Sequence, residues 1–335
     1  MTANGDSGIH ASRTAALPRL RLIDAYRPDA AAARAELLAA LASPAPSIPP
    51  KYFYDALGAR LFAAITELPE YYLTRAESSI FAEHLPAITR AYGVRDCTLI
   101  DLGAGNCEKA GRLFPVLRPK AYVALDISVD YLATSLEYLQ REYPAIDMLG
   151  VGTDFTRSLS LPDDVPRSRR LFFYPGSSIG NFSPDAAKGF LALVRAQMEQ
   201  DGALLIGVDL VKDKAALDAA YDDVLGITAA FNLNALNHVN RIAGTNFRTE
   251  DWRHVAFYDP QLQRIEMHLE ARRALSVHWT GGERRFDAGA RIHTENSYKY
   301  APDQFARLLE SAGFPVLRHW TDGQSRFALF LARPE

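Results

Sequence analysis

Cysteine is nearly absent from this chain: its 335 residues include two, Cys97 and Cys107. That excludes a disulfide framework and a cysteine-built zinc site, and both thiols are expected to be small buried side chains. Long apolar runs are missing as well. None approaches the roughly 18 residues that a membrane-spanning helix needs, and the N-terminus lacks a basic segment followed by an apolar one. Charge is balanced, with 23% charged residues and a net charge of −3. The most basic stretch, Arg167-Ser168-Arg169-Arg170, is too short to track a phosphate backbone and reads as a solvated loop. There is no HExxH spacing, so His254, His268, His278 and His293 are expected to be satisfied or exposed singly, with no metal site. What remains is a chain with 48% hydrophobic residues, enough for one large domain or two with a full core. A cytoplasmic enzyme with neither nucleic-acid nor membrane partners is the expectation.

In chain order, residues 1–17 are small and polar and are expected to be unstructured. Asp29 is placed to cap an alanine- and leucine-rich helix to about Leu41, which the prolines at 44, 46, 49 and 50 then end. Residues 51–77 are dense in aromatics, including Tyr52, Tyr54, Tyr71 and Tyr72. Phe53, Leu61, Phe62 and Ile65 recur at helical spacing, so this stretch is expected to pack on the next domain as a cap. Packing explains the hydroxyls less well, because buried tyrosines want polar partners.

From about Thr74, helices and strands alternate. Helices are predicted at about 76–92, 129–143 and from Pro184. Strands are predicted ending at Ile100, over Ala121–Leu125, Met148–Val151, Arg170–Tyr174 and Leu204–Leu210. Strands joined by helices of this length indicate a parallel, doubly wound sheet with ligands at the strand C-terminal ends. After Asp209 the pattern changes to one long helix over 215–237 followed by short strands with glycine turns. A helix over 302–312 and a hairpin formed by 314–320 and 327–332 then return to the main sheet. The expected α/β organisation is a tail and helix (1–50), a Rossmann-like domain (51–210 and 300–335), and an inserted α+β lobe (211–299).

The stretch TLIDLGAGNCEK, residues 98–109, is the pivot. A buried strand closes on Asp101, Gly103-Ala104-Gly105 makes a tight turn, and a helical pattern follows. Such a turn lets a ligand approach bare backbone near a helix start. The third glycine of the dinucleotide fingerprint is missing at Cys107 and Glu108. Asp126 ends the next strand about 20 residues on, where a carboxylate can hold ribose hydroxyls. D-x-G-x-G with that acid resembles the S-adenosylmethionine (SAM) site of Rossmann-like methyltransferases. Asp154-Phe155 follow the third strand, where such folds set an acid near the adenine amine and an aromatic beside the ring.

Four further segments are more specific: YFYD with LPEYYLTRAE, PGSSIGNF, AAYDDVLGITAAFN and IHTENSYKY. Together they resemble the histidine Nα-methyltransferases of ergothioneine biosynthesis over about 51–332. The resemblance implies three SAM-dependent methylations of the α-amine of free L-histidine, giving hercynine. It implies a SAM set of Gly103, Lys109, Asp126, Asp154 and Phe155. It implies that Asn181 and Tyr221 hold the substrate carboxylate, Glu295 and Ser297 hold the imidazole, and Tyr71 approaches the ring. Tyr54 is expected near the amine with the Gly176 carbonyl facing it, making Tyr54 and Asn181 the candidate catalytic groups, and Met267 is expected to line the side-chain pocket. A monomer is expected.

The residue types suit that chemistry. Glu295 and Ser297 are two apart, so on a strand they share a face; a carboxylate accepts an imidazole N–H, and a hydroxyl can donate or accept. Asn296 between them is more polar than the family pattern and is expected to face away. Methyl transfer from a sulfonium is an in-line displacement, so alignment and water exclusion matter more than a strong base. A relative acting on another aromatic amino acid, such as an indole, would lack the Glu–Ser pair. A nucleic-acid methyltransferase would carry a motif such as N-P-P-Y where this chain has GSSIGNF. A non-catalytic Rossmann-like binding module is opposed by the acids Asp101, Asp126 and Asp154.

Overall fold

The computed structural model describes residues 20–24, 29–127, 129–156 and 158–335, with backbone alone at 129–131. The stretch 1–17, expected to be unstructured, lies outside the described residues. Thirteen strands occur among those described: β1 (Arg21–Asp24), β2 (Thr98–Leu102), β3 (Ala121–Asp126), β4 (Asp147–Gly152), β5 (Arg170–Tyr174), β6 (Ala203–Asp209), β7 (Trp252–Asp259), β8 (Arg264–Ala271), β9 (Leu275–Trp279), β10 (Gly282–Phe286), β11 (Arg291–Tyr298), β12 (Val316–Thr321) and β13 (Phe327–Ala332).

Eight of them form the main sheet in the order β1-β4-β3-β2-β5-β6-β13-β12. The first six are parallel neighbours, and β13 runs antiparallel between β6 and β12. From β2 the chain winds outward through β3 and β4, then returns to the other side of β2 at β5. The crevice between β2 and β5 is therefore the switch point at which doubly wound sheets take ligands. The central strands are buried on both faces, which is why TLIDL, RLFFY and FALFLA read as almost continuous apolar runs. Alternation sorts them onto two cores: Leu99 packs on one face of β2, Ile100 and Leu102 on the other.

Local signals explain the element ends. Asp29 accepts from the backbone N–H groups of Ala31 and Ala32 at 2.9 and 3.2 Å and starts the helix Ala30–Ala42. The following proline-rich segment lies along β11, with the Ile48 N–H on the His293 carbonyl at 2.9 Å. Gly93, at φ +69°, ends the helix Leu73–Tyr92 in the left-handed region. Strand β1 was not expected; its four residues are mostly exposed and form a strand through pairing with β4.

The single helix expected over 215–237 is corrected to two, Lys214–Tyr221 and Ile227–Ala243. Asp223 breaks it. Its carboxylate accepts from the N–H groups of Ile227 at 3.0 Å and Thr228 at 2.7 Å, capping the second helix, and Gly226 takes φ +71° at the joint. The chain then builds a three-stranded antiparallel sheet, β11-β8-β7, and a hairpin of β9 with β10.

Candidate active site

The aromatic cap comes first in sequence and forms one wall of a cavity. Asp55 caps the helix Ala56–Thr66 by accepting from the Gly58 N–H at 2.7 Å. That helix carries Phe62 and Ile65 to the cavity, and Tyr54 precedes it. Tyr54 packs edge-on against Phe62 and Phe231, each with ring centroids 5.7 Å apart. Phe62 leads to Tyr71 at 6.3 Å, and Tyr71 to Tyr221 at 6.2 Å. Phe53 is fully buried behind them, a contribution of about 1.5–3 kcal/mol.

The opposite wall is β8 and β11. A bulge between His293 and Glu295 shifts the register against β8 and is held by Thr294, whose hydroxyl donates to the Met267 carbonyl at 3.0 Å. Beyond it, Glu295 and Ser297 turn inward beside Met267, while Asn296 faces the other way and bonds His293 at 3.0 Å. Without the bulge, alternation would bring Asn296 inward instead.

The floor is the loop after β5. Gly176 and Asn181 line the cavity; the following helix is capped by Ser183 through the Ala186 N–H. All eight expected substrate residues (Tyr54, Tyr71, Gly176, Asn181, Tyr221, Met267, Glu295 and Ser297) thus line one cavity of about 520 Å³ counted to its open mouth.

Burial shapes the electrostatics. It pushes the Glu295 carboxyl up to about 7 against the opposing pull of Lys299. Glu295 is 8% exposed, and no described donor hydrogen-bonds its carboxylate. Burial, reinforced by the field of Glu295, holds the hydroxyls of Tyr54, Tyr71 and Tyr221 well above their usual range, so all three stay protonated. Tyr221 is positioned from behind: the His254 Nε2 donates to its carbonyl at 2.9 Å, and burial keeps that imidazole neutral-leaning, with Nδ1 accepting from Asn232 at 2.8 Å.

The expected cofactor residues gather at the C-terminal ends of β2, β3 and β4. The N–H groups of Gly103 and Ala104 both donate to the Leu125 carbonyl, and the Gly105 N–H donates to Asp126 Oδ2 at 2.9 Å. Gly103 and Gly105 have φ of +75° and +53°. A Cβ built on Gly103 would lie 3.6 Å from the Phe155 ring, and one on Gly105 would meet nothing within 4 Å. A loop with open space above it, a carboxylate at its side and a ring beneath suits a nucleoside. Two placements differ from a simple cluster. Asp154 accepts from the N–H and hydroxyl of Thr156, so part of it is engaged in its own turn. Lys109 reaches across to Glu77 at 2.6 Å, beside Gly176.

Glu77 was not singled out from the sequence, although it ends the quoted LPEYYLTRAE. It is 1% exposed and bridges Lys109 to the Gly176 N–H, which it accepts at 2.8 Å, so it ties the glycine loop to the cavity floor. Gly207 on β6 leaves room for it, since a Cβ there would come within 2.5 Å of its Oε1. Phe62, Ile65 and Phe231 also line the cavity, where the sequence placed the first two as packing residues.

Residues 33–334 match the family model described as histidine-specific methyltransferase, SAM-dependent. The chain belongs to that family. Its doubly wound, mostly parallel sheet is the Rossmann-like arrangement expected from the sequence. Among curated relatives, the histidine N-alpha-methyltransferase of Mycobacterium tuberculosis is 38% identical over 308 residues, covering 90% of this chain and 94% of that protein. Ergothioneine biosynthesis protein 1 of Neurospora crassa is 32% identical over 297 residues, covering 85% of this chain and 33% of that longer protein. The N-methyltransferase imqF of Aspergillus flavus is 29% identical, covering 87% of this chain and 82% of that protein. No helix among the described residues is long and apolar enough to cross a membrane.

Proposed function

We propose that the protein methylates the α-amine of free L-histidine three times with SAM as donor, giving hercynine for ergothioneine biosynthesis in the cytoplasm. The observation that carries this reading is Glu295, a buried carboxylate facing the cavity with no described donor of its own. Leaving it so is costly, and a ligand N–H relieves that cost. Ser297, two residues on, completes a ring-binding pair. At the other end Asn181 supplies a donor for a carboxylate and Tyr54 with the Gly176 carbonyl flanks the amine, while Tyr221, its hydroxyl 2.8 Å from Ser297, belongs to the ring end. The segment 211–299 serves as the substrate lobe of a protein that acts as a monomer.

The glycine loop fits the donor. Asp126 would take the ribose hydroxyls, Phe155 and Asp154 the adenine, and Gly103 and Lys109 the remainder. When bound, SAM would supply a sulfonium methyl for in-line transfer to an unprotonated amine, with S-adenosylhomocysteine as the leaving group. The residues of the chain then act by alignment and exclusion: the aromatic wall keeps water out, and gripping the substrate at both ends restricts the nitrogen to one approach. Among the described residues Glu295 is the sole carboxylate lining the cavity, at the ring end, and the tyrosine hydroxyls stay protonated. The amine therefore loses its proton to solvent before attack.

Calorimetry with S-adenosylhomocysteine tests the donor site, and mass spectrometry of histidine, tryptophan and tyrosine incubated with SAM tests the acceptor. Trimethylated histidine is the expected product. Methylation of tryptophan with histidine untouched would replace the acceptor while keeping the reaction.

A further inference from the structure

Behind the ring end of the cavity lies a lysine that the proposed reaction does not use. Lys299 continues the inward face of Glu295 and Ser297 one step further and is 1% exposed. Its ammonium is ion-paired with Asp209 Oδ2 at 2.9 Å and donates to Ser297 Oγ at 2.8 Å and to Tyr221 Oη at 3.0 Å. Asp209 is itself fully buried and also accepts from the Tyr72 hydroxyl and from Lys212. An ammonium has three N–H groups, so every donor of Lys299 is engaged.

The consequence follows from counting protons. Ser297 Oγ and Tyr221 Oη lie 2.8 Å apart, and one O–H joins them. The phenol is the more acidic hydroxyl and the serine oxygen the better acceptor, so Tyr221 donates to Ser297. Ser297 then has both acceptor positions filled, one by Lys299 and one by Tyr221, and its own O–H is left to point into the cavity. A cation behind the pair also polarises that O–H and strengthens it as a donor.

We infer that Lys299 is a positioning residue for ring selectivity: it fixes Ser297 as a donor, so that Ser297 and the acceptor Glu295 together select a ring with one N–H and one bare nitrogen. This rests on the histidine reading above, and the neutral imidazole is the ring that satisfies both groups. Rings with an N–H and no bare nitrogen strand the Ser297 proton in a buried site, which a site built for hydrogen bonding rejects strongly.

The test compares histidine with the two pyrrolylalanine isomers, which keep an N–H for Glu295 at either ring position and lack the bare nitrogen. Wild-type protein should prefer histidine to the better isomer by at least about a hundredfold in kcat/KM. In Lys299→Met the Asp209 carboxylate loses one of its donors, the hydroxyl pair can turn its spare proton back toward it, and the preference should fall to within about tenfold. S-adenosylhomocysteine affinity should not change. A role limited to holding the fold lowers turnover of all three substrates alike; an unchanged ratio in the variant therefore overturns the inference. Should Lys299→Met not fold, Lys299→Gln takes its place: its amide N–H can bond Asp209 and its carbonyl can accept the Ser297 proton, so the preference should fall in the same way. Equal use of pyrrolylalanine and histidine by wild-type protein means that Ser297 is not a fixed donor. Failure of wild-type protein to methylate histidine at all would instead sink the functional reading.

Discussion

Replacing Glu295 by glutamine keeps the size of the side chain and removes its charge, and two effects should separate. The first is on the acceptor. A hydrogen bond to a charged group contributes about 1.5–3 kcal/mol, so histidine should bind roughly 10- to 150-fold more weakly. The donor loop is built from other strands, so S-adenosylhomocysteine affinity should stay unchanged. The second effect is on the free protein and has the opposite sign. Burial raises the folded carboxyl from an ordinary 4.5 to about 7. Between those values the native state holds a proton that the unfolded chain has released. Wild-type stability contributed by this group is therefore fully present below 4.5, falls as pH rises through 7 and levels off above it. The drop is on the order of 3 kcal/mol. Glu295→Gln removes this dependence, so the variant should match wild type near pH 5 and exceed it by a few degrees in Tm near pH 8. Calorimetric titration of histidine in the presence of S-adenosylhomocysteine, with thermal melts at both pH values, reads both effects. A variant less stable than wild type at the higher pH, or one that binds histidine normally, would refute the reasoning.

Other perturbations test the donor side and the chemistry. Gly207→Ala places a Cβ 2.5 Å from Glu77 Oε1 and 2.9 Å from the Phe327 ring; melts should show a loss of about 1–3 kcal/mol. Calorimetry should show weaker S-adenosylhomocysteine binding as Glu77 is pushed off Lys109. Asp126→Ala strips the Gly105 N–H of its acceptor and should lower S-adenosylhomocysteine affinity by at least about tenfold, again by calorimetry. The rate at saturating histidine should rise with pH through the ionisation of the α-amine; a profile flat across mildly alkaline values, followed by mass spectrometry, would contradict solvent as the proton acceptor.

The doubly wound sheet was legible in the sequence because strands buried on both faces must be apolar throughout. Residues 98–102, 170–174 and 327–332 carry that mark. The cavity residues were legible through four motifs, each short enough to compare residue by residue. What stayed hidden depended on contacts distant in sequence. Glu77 and Lys299 were not singled out, because their burial is set by partners such as Gly176 and Asp209, which lie 99 and 90 positions away respectively. Asp222 and Asp223 fell inside the one long helix expected over 215–237, and it is the side chain of Asp223 folding back on Ile227 and Thr228 that divides it. That Glu295 and Ser297 share a face followed from strand spacing, whereas the bulge at Thr294 that shifts the alternation showed only in the pairing with β8.

The most direct measurement is a crystal structure with S-adenosylhomocysteine and Nα,Nα-dimethylhistidine bound together. The account predicts a ring N–H on Glu295, the bare nitrogen facing Ser297, and the dimethylated nitrogen turned toward the sulfur across the switch point between β2 and β5. A ligand bound with its carboxylate at Glu295, or with its nitrogen turned away from the sulfur, would contradict it.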